Sequence, residues 1–451
     1  MNKRKDTQMK ESVYNFILDG KSGNKIYYNS RTGSLAEVCP QQDKMFMEFI
    51  KYGTEIKDKN FMEQLKYCGY LIEDGFNEKN DIHINLLSSR YETSVLSLTI
   101  TPTMACNFRC VYCFESGHYG QGKMGSEVEE EICKFAEQES GHIEKLAVTW
   151  YGGEPLLAMD VIESLTGKLK SICKKSNTEY TASIVTNGYL LDNVMCDRLL
   201  ECNVEDVQIT LDGDCDTHNK RRPLADGKPS FGRIMDNLEK IHGKIDISIR
   251  INVDEGNKYK VQDVVNELKA RNIYNDVFCY LGLVTPSNGQ CNNIACMSAE
   301  KYSGFNLQFM LDNKIPLKPL YPRPTGNYCG ADYILGYVID ADGYVYKCWS
   351  DVGIQERRIS SIFDLTGKDG NFSDGITDTQ SQNVIDGYML FNPVEDENCS
   401  ICKYLPLCMG GCPHNRLEGN QMCEQYRYNI DGFLTAYVER IIVAGKGGEN
   451  I

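Results

Sequence analysis

The sequence predicts an α/β fold centred on a parallel sheet curled into a partial (β/α)6 barrel, and three observations carry that prediction. Between residues 93 and 312 six apolar runs alternate with helix-compatible segments; a strand, helix, helix, strand pattern precedes them within 1–92. From 313 to 451 the periodicity gives way to Pro-, Gly- and Tyr-rich segments that hold seven of the cysteines.

Composition supports a folded globular chain. At ~150 residues per domain, 451 residues allow two to four domains, and 25% charged with 41% hydrophobic residues is ordinary for such domains. The net charge of -15 repels a phosphate backbone and anionic lipid, so nucleic acid and membrane are not expected partners. No run approaches 18 apolar residues and the polar start has no signal-peptide core, which predicts a cytoplasmic protein. Twenty cysteines in a reducing compartment point to metal ligation or redox chemistry rather than disulfides.

In the front module, runs at 13–18, 25–29 and 35–38 have strand character and are separated by turn-rich 19–24 and 30–33, which predicts a three-stranded meander. Phe46, Phe49 and Ile50, then Phe61, Leu65 and Cys68, recur at helical spacing around the break at Gly53, and 70–73 returns to strand. That order suits a winged helix-turn-helix. Acidity argues against a DNA role, whereas a strand edge beside a helix suits an extended peptide. A packing extension of the neighbouring domain is the alternative.

The barrel strands are read at 95–100, 146–151, 181–185, 207–211, 245–253 and 277–284, with helices at 124–138, 160–174, 190–202, 230–243, 259–271 and 298–311. In such sheets ligands bind at the carboxyl ends of the strands, so the loops after each run are where chemistry is expected. Beyond 312 no apolar core is evident, and a metal framework would supply the missing order. The stretch 425–444 is helix-compatible.

The loop after the first strand carries Cys106, Cys110 and Cys113, a CxxxCxxC triplet. Chance would give that spacing only ~0.04 times in this composition, and three thiolates can hold three irons of a [4Fe-4S] cube while leaving the fourth open. Zinc is the competing reading, but neither Asn107 nor Arg109 is a natural fourth ligand. In the tail, Cys399, Cys402, Cys408 and Cys412 follow at CxxCxxxxxCxxxC spacing, with Cys329 and Cys348 before them and Cys423 after. A zinc knuckle over 399–412 would leave the other three unexplained.

CxxxCxxC with an aromatic residue before the third cysteine resembles the signature of the radical S-adenosylmethionine (SAM) superfamily. Further blocks match in order: Gly152-Gly153-Glu154-Pro155 resembles the GGEP motif that meets the methionyl amino group, Thr186-Asn187-Gly188 and Thr210-Leu211-Asp212-Gly213 match later blocks, and His218 and Arg222 complete the last run. The resemblance implies that SAM chelates the open iron and is cleaved to a 5′-deoxyadenosyl radical. It places Tyr112 and Leu283 near the adenine, Thr210 and Arg222 at the ribose or carboxylate, and Asn187 and Asp212 in the same site. Arg250 is either a further contact or a structural salt-bridge partner. No catalytic base is assigned.

The tail is similar to the SPASM domain. Carried over by position, Cys399, Cys402, Cys408 and Cys423 would hold a distal auxiliary [4Fe-4S] cluster and Cys329, Cys348 and Cys412 a proximal one, giving three clusters in all. Sulfatase-maturing relatives have a further cysteine where this chain has Leu335 and an Asp base where it has Trp349, which disfavours formylglycine formation. The proximal cluster either has an open iron or is closed by Cys279, Cys291 or Cys296. Isolated cysteines, Cys39, Cys68, Cys133, Cys173, Cys196, Cys202 and Cys215 among them, read as buried apolar filler, and His118, His142, His242 and His414 suggest no metal site.

The front module is similar to the RiPP recognition element, which captures the leader of a ribosomally made precursor peptide. The resemblance as a whole implies a peptide maturase of the sactisynthase or ranthipeptide-synthase kind, forming a Cys-derived thioether and drawing electrons from flavodoxin or ferredoxin. Carbon-carbon crosslinking is the alternative within the class, and an iron-sulfur redox-responsive binding protein the alternative outside it.

Overall fold

The structure is a computed structural model and describes residues 8–20, 23–115, 122–285, 296–316, 318–366 and 378–447. Strand β1 (Met9–Glu11) precedes the antiparallel meander β2 (Asn15–Asp19), β3 (Lys25–Asn29) and β4 (Ser34–Val38). Helices α1 (Pro40–Tyr52) and α2 (Lys59–Tyr67) follow. Gly53 ends α1 at φ 67°, which a side chain resists, and the Asp58 carboxylate caps α2 by accepting from the Phe61 N–H. Strand β5 (Leu71–Glu73) does not join the meander but pairs antiparallel with β1, which the sequence did not predict. Helix α3 (Glu78–Arg90) was not predicted either.

The front module does not stand apart. Phe16 and Tyr28 pack with Leu407, Ile430 and Leu434, while Tyr14, Ile82 and Leu86 pack with Leu405 and Met409. Lys403 spans the seam: Nζ lies 4.3 Å from the Phe16 ring centroid and donates to the Asn15 carbonyl at 3.0 Å.

The central sheet is built from β6 (Val95–Ile100), β7 (Lys145–Trp150), β8 (Glu179–Thr186), β9 (Val204–Leu211), β10 (Asp246–Val253) and β11 (Val277–Leu283), all parallel. Helices α4 (Ser126–Glu139), α5 (Met159–Ser176), α6 (Asn193–Glu201), α7 (Cys215–Arg221), α8 (Phe231–Ile241), α9 (Val261–Ala270) and α10 (Ala299–Asp312) intervene or follow. Inward residues such as Leu96, Leu98, Ile100, Trp150 and Leu211 are fully buried, each stabilising by roughly 1.5–3 kcal/mol or more. The sheet stays open, with β11 at an edge.

The tail differs from its prediction. Strand β12 (Gly336–Ile339) pairs parallel with β6, and β13 (Tyr344–Tyr346) and β14 (Ser360–Ser361) extend the sheet to nine strands. Ile339, Val345, Ile359 and Ile362 belong to the same apolar core as the barrel. The segment expected to lack a core borrows one. Among the described residues no helix is long and apolar enough to cross a membrane.

Candidate functional site

A cavity of about 710 Å³ opens at the carboxyl ends of the barrel strands. Its lining includes Cys106, Cys110 and Cys113 from the loop after β6 and Cys329, Cys348 and Cys412 from the tail. Tyr112, Gly152, Gly153, Asn187, Thr210, Arg222, Arg250 and Leu283 also line it. Glu154, Pro155 and Asp212 do not.

The 106–113 loop is held by backbone pairing. Arg109 and Val111 donate to the carbonyls of Pro223 and Arg221, each at 2.9 Å, and Ala225 donates to the Asn107 carbonyl at 2.8 Å. The GGEP turn closes against its other flank: Gly152 has φ 116°, and a side-chain carbon on Gly153 would lie 2.4 Å from the Ala105 carbonyl oxygen. Only glycines allow this approach. Burial raises the Cys106 thiol above its ordinary range and the Cys110 thiol to about 11, the latter partly offset by the Arg222 charge.

Three of the predicted contacts act through others. The Glu154 carboxylate is fully buried and accepts from Thr186 Oγ1 at 2.7 Å, the Asn187 N–H at 2.8 Å and the Leu156 N–H at 3.1 Å. It therefore fixes the loop after β8, while Gly152 and Gly153 are the residues of the motif that line the cavity. Asp212 accepts from the Tyr112 hydroxyl and from Arg221 Nε, both at 2.8 Å. Pro155 starts a short 3-10 turn beneath the site. The Tyr112 hydroxyl also accepts from Arg222 at 2.8 Å and Asn252 at 3.1 Å, so its hydrogen-bonding capacity is used and its ring is what it offers the cavity.

Arg222 Nε is buried without a hydrogen-bond partner among the described residues. Arg250 has no carboxylate partner among the described residues, which does not favour a salt-bridge role; it lies across Gly282, donating to Asn252 Oδ1 at 2.8 Å. Two guanidinium groups thus face the cavity. His218 is buried against Phe231, outside the cavity wall.

Among the described residues no three His, Cys, Asp or Glu side chains converge on one metal ion. A cubane makes a different demand, since each thiolate takes its own iron. The thiols of one loop around a cavity, glycine carbonyls beside them and two cations beyond fit a [4Fe-4S] cluster and an amino-acid-bearing cofactor. In the tail's part of the lining, burial raises the Cys348 thiol above its ordinary range, with Asp351 and then Cys329 and Cys412 near enough to add to it. Away from the cavity, Cys399 feels Cys408 and Cys402, and Cys408 feels Cys402 and Cys423. Left-handed Met409, Gly410 and Gly411 turn the chain sharply between Cys408 and Cys412, separating the two sets.

Several other assignments change. Cys279 is 1% exposed in the core and Cys296 is absent from the cavity wall; Cys291 and His118 lie outside the described residues. Cys39 and Cys215 are exposed, not apolar filler, whereas Cys173, Cys196 and Cys202 are buried. The sequence reading missed Lys347, a buried lysine in the wall whose pKa burial lowers to about 7 and whose Nζ donates to the carbonyls of Tyr333 at 2.6 Å and Gly336 at 2.7 Å. It missed Glu115, whose carboxyl burial raises to about 7. It also missed the stack of Tyr151 on Trp349, with centroids 4.9 Å apart. Adjacency to cysteine was the available signal for Lys347 and Glu115; nothing local marked the stack.

Residues 100–268 match the family model described as the radical SAM superfamily. The cysteine-type anaerobic sulfatase-maturating enzyme of Clostridium novyi (strain NT) is 26% identical over 369 residues, 74% of this chain and 93% of that protein. Native anSMEcpe with bound AdoMet and Cp18Cys peptide superposes with TM-score 0.60 at 22% identity, over 78% of this chain and 99% of its own. Streptococcus suis SuiB bound to precursor peptide SuiA superposes with TM-score 0.53 at 15% identity, over 93% and 98%. At those identities the structural likeness speaks for the fold. Residues 100–268 therefore carry the similarity to the radical SAM superfamily, and the cysteine triplet within them lies at the strand ends of an α/β core.

Proposed function

We propose that the chain is a radical SAM peptide maturase that joins a cysteine sulfur to carbon in a ribosomally made precursor peptide. The observation that carries this reading is the single cavity shared by Cys106, Cys110 and Cys113 with Cys329, Cys348 and Cys412. A peptide residue held there would have both cysteine sets within one cavity. Its volume is that of a site for a cofactor and a few side chains.

The first triplet would hold the SAM-binding cluster, Cys329, Cys348 and Cys412 the proximal auxiliary one, and Cys399, Cys402, Cys408 and Cys423 the distal. Once bound, these groups would supply hydrogen abstraction from unactivated carbon, a thiolate-binding iron and an electron acceptor. The chain's own residues do the rest. The carbonyls of Gly152 and Gly153 accept from the cofactor ammonium, Arg222 and Arg250 meet its carboxylate, and Tyr112 and Leu283 flank its base, with Asn187 and Thr210 beside them. Phe108, Tyr151, Tyr337 and Trp349 wall the cavity with aromatic surface and exclude water and stray hydrogen donors. The winged-helix reading of 1–92 supplies a leader-binding surface on the open edges of β2 and β4.

Sulfatase maturation is the second reading, favoured by the curated relatives. Against it, Leu335 packs on the core and Trp349, not a carboxylate, follows Cys348. The deciding experiment incubates anaerobically reconstituted protein, SAM and a reductant with any short cysteine-containing peptide found to be encoded beside the gene. Loss of two hydrogens together with loss of the alkylatable thiol supports a thioether. Two hydrogens lost with the thiol intact supports carbon-carbon crosslinking instead. Formylglycine from a sulfatase peptide supports maturation, and absence of 5′-deoxyadenosine formation supports a binding protein.

A further inference from the structure

His414 sits in the same cavity wall as Cys329, Cys348 and Cys412, two residues beyond Cys412, which caps the helix Pro413–Leu417. It is 3% exposed. Its Nδ1 lies 3.1 Å from Asp351 Oδ1, and the other oxygen of that fully buried carboxylate accepts from the Tyr388 hydroxyl at 2.6 Å. With Asp351 accepting on both oxygens, the ring hydrogen belongs on Nδ1 and the Nε2 lone pair is left free. Nε2 is buried and has no hydrogen-bond partner among the described residues. Leaving such a nitrogen unmet costs about 1–3 kcal/mol, and a carboxylate behind the distal ring nitrogen is the arrangement that orients metal-bound imidazoles. His218, buried as deeply, has no hydrogen-bond partner on either ring nitrogen among the described residues and lies outside the cavity wall.

We propose that His414 Nε2 ligates the auxiliary cluster assigned to Cys329, Cys348 and Cys412, closing the corner that no cysteine among the described residues takes. This rests on reading those cysteines as ligands of one cluster. Among the described residues the other candidates for that corner are poorly placed: Leu335 has no donor, Cys279 is in the core and Cys296 is not in the wall. An imidazole in place of a fourth thiolate removes one negative charge and raises the reduction potential, as a cluster that receives an electron requires. A thiolate from the peptide would displace it, so the corner is shut before substrate arrives and available afterwards.

The test uses the full chain, anaerobically reconstituted and reduced without SAM or peptide, in natural-abundance and [15N]histidine-labelled forms. Pulsed electron paramagnetic resonance is expected to show a nitrogen coupling of directly bound size that changes with the label and is lost in His414→Ala. His414→Cys is expected to keep the iron content and lower the potential of that cluster. A labelled spectrum with no histidine coupling, or only the weak coupling of a hydrogen-bonded ring, overturns the proposal without needing any variant to fold. Persistence of the coupling in His414→Ala overturns it equally. Iron content that does not fall in Cys348→Ala removes the cluster reading itself, and the proposal with it.

Discussion

The two walls of the cavity are held in place by different physics. On the barrel wall, Cys106, Cys110 and Cys113 ride on a loop clamped by backbone hydrogen bonds and glycine contacts above a continuous apolar core. The tail's wall shares that core through β12, β13 and residues such as Val384, Ile385 and Met389, and adds buried polar anchors that the first wall lacks at its cysteines: Arg90 with Asp332, and Tyr388 with Asp351 and His414. Asp332 also accepts from the Cys329 N–H at 2.9 Å, so the anchor sets a cysteine directly. A wall made by burial keeps its shape without metal, whereas a wall made by polar anchors and thiols gains order when metal binds.

The largest effect expected is chemical and confined to the first wall. Replacing Cys106, Cys110 and Cys113 together by alanine should reduce SAM cleavage to background, a loss of more than about a thousandfold given typical enzymatic accelerations. The melting transition of the barrel should hardly move, since none of the three is fully buried. A large drop in stability would mean that the loop supports the core and would erase the contrast. Replacing Cys348 and Cys412 by serine should act the other way: iron content falls and limited proteolysis cuts first within 399–423, while the barrel stays protected. Equal protection of both regions after iron removal would contradict the account.

A structural test of the second wall comes next in size. Arg90 and Asp332 are both buried, and the guanidinium also donates to the carbonyls of Met389 and, at 2.6 Å, Phe391. Arg90→Ala leaves the Asp332 carboxylate uncompensated and should cost about 3–5 kcal/mol in unfolding free energy. Chemical denaturation read by tyrosine fluorescence measures it; a loss below 1 kcal/mol, the scale of an exposed pair, would show that the anchor is slack. On the first wall, Glu154→Gln keeps the shape but faces one N–H donor with an amide, and should cost about 1–3 kcal/mol while weakening SAM binding. Isothermal titration with unchanged affinity would show that the loop after β8 does not need Glu154.

The same contrast decides what could be read from the chain. Strand β6 has alternating burial from Val95 to Ile100, and its run of branched and apolar residues is long enough to be read as a strand. Strands β12 and β13 span four and three residues, too few for a period to register. Helix α3 had a legible cap at Asn77, but its buried stripe is Glu78, Ile82, Leu86 and Arg90, half of it charged, because its partners are polar groups of the tail and Ser12. Cysteine spacing exposed both walls of the site, since thiol clusters are rare enough to stand out from composition. The His414 anchor had no such signal: Asp351 is 63 residues away and Tyr388 a further helix apart, joined by folding alone.

The smallest effect concerns a cap that steadies the cation side of the first wall. Helix α7 delivers Arg221 and is followed directly by Arg222; the Asp214 carboxylate caps it, accepting from the Thr217 N–H at 2.9 Å and pairing with Lys260 at 2.8 Å. The Lys260 hydrogen bond, with those from Thr217, lowers the Asp214 pKa from 3.8 to about 2. A carboxyl with a depressed folded-state pKa contributes its full stabilisation above the unfolded value and loses it on acidification. The contribution is therefore present above pH 3.8 and disappears as pH falls towards 2. Asp214→Ala should cost about 1 kcal/mol at neutral pH, and the difference from wild type should shrink across that acid window. A pH-independent difference would assign the loss to helix propensity rather than to the charge, leaving the placement of Arg222 to Tyr112 and the backbone pairing of the cysteine loop.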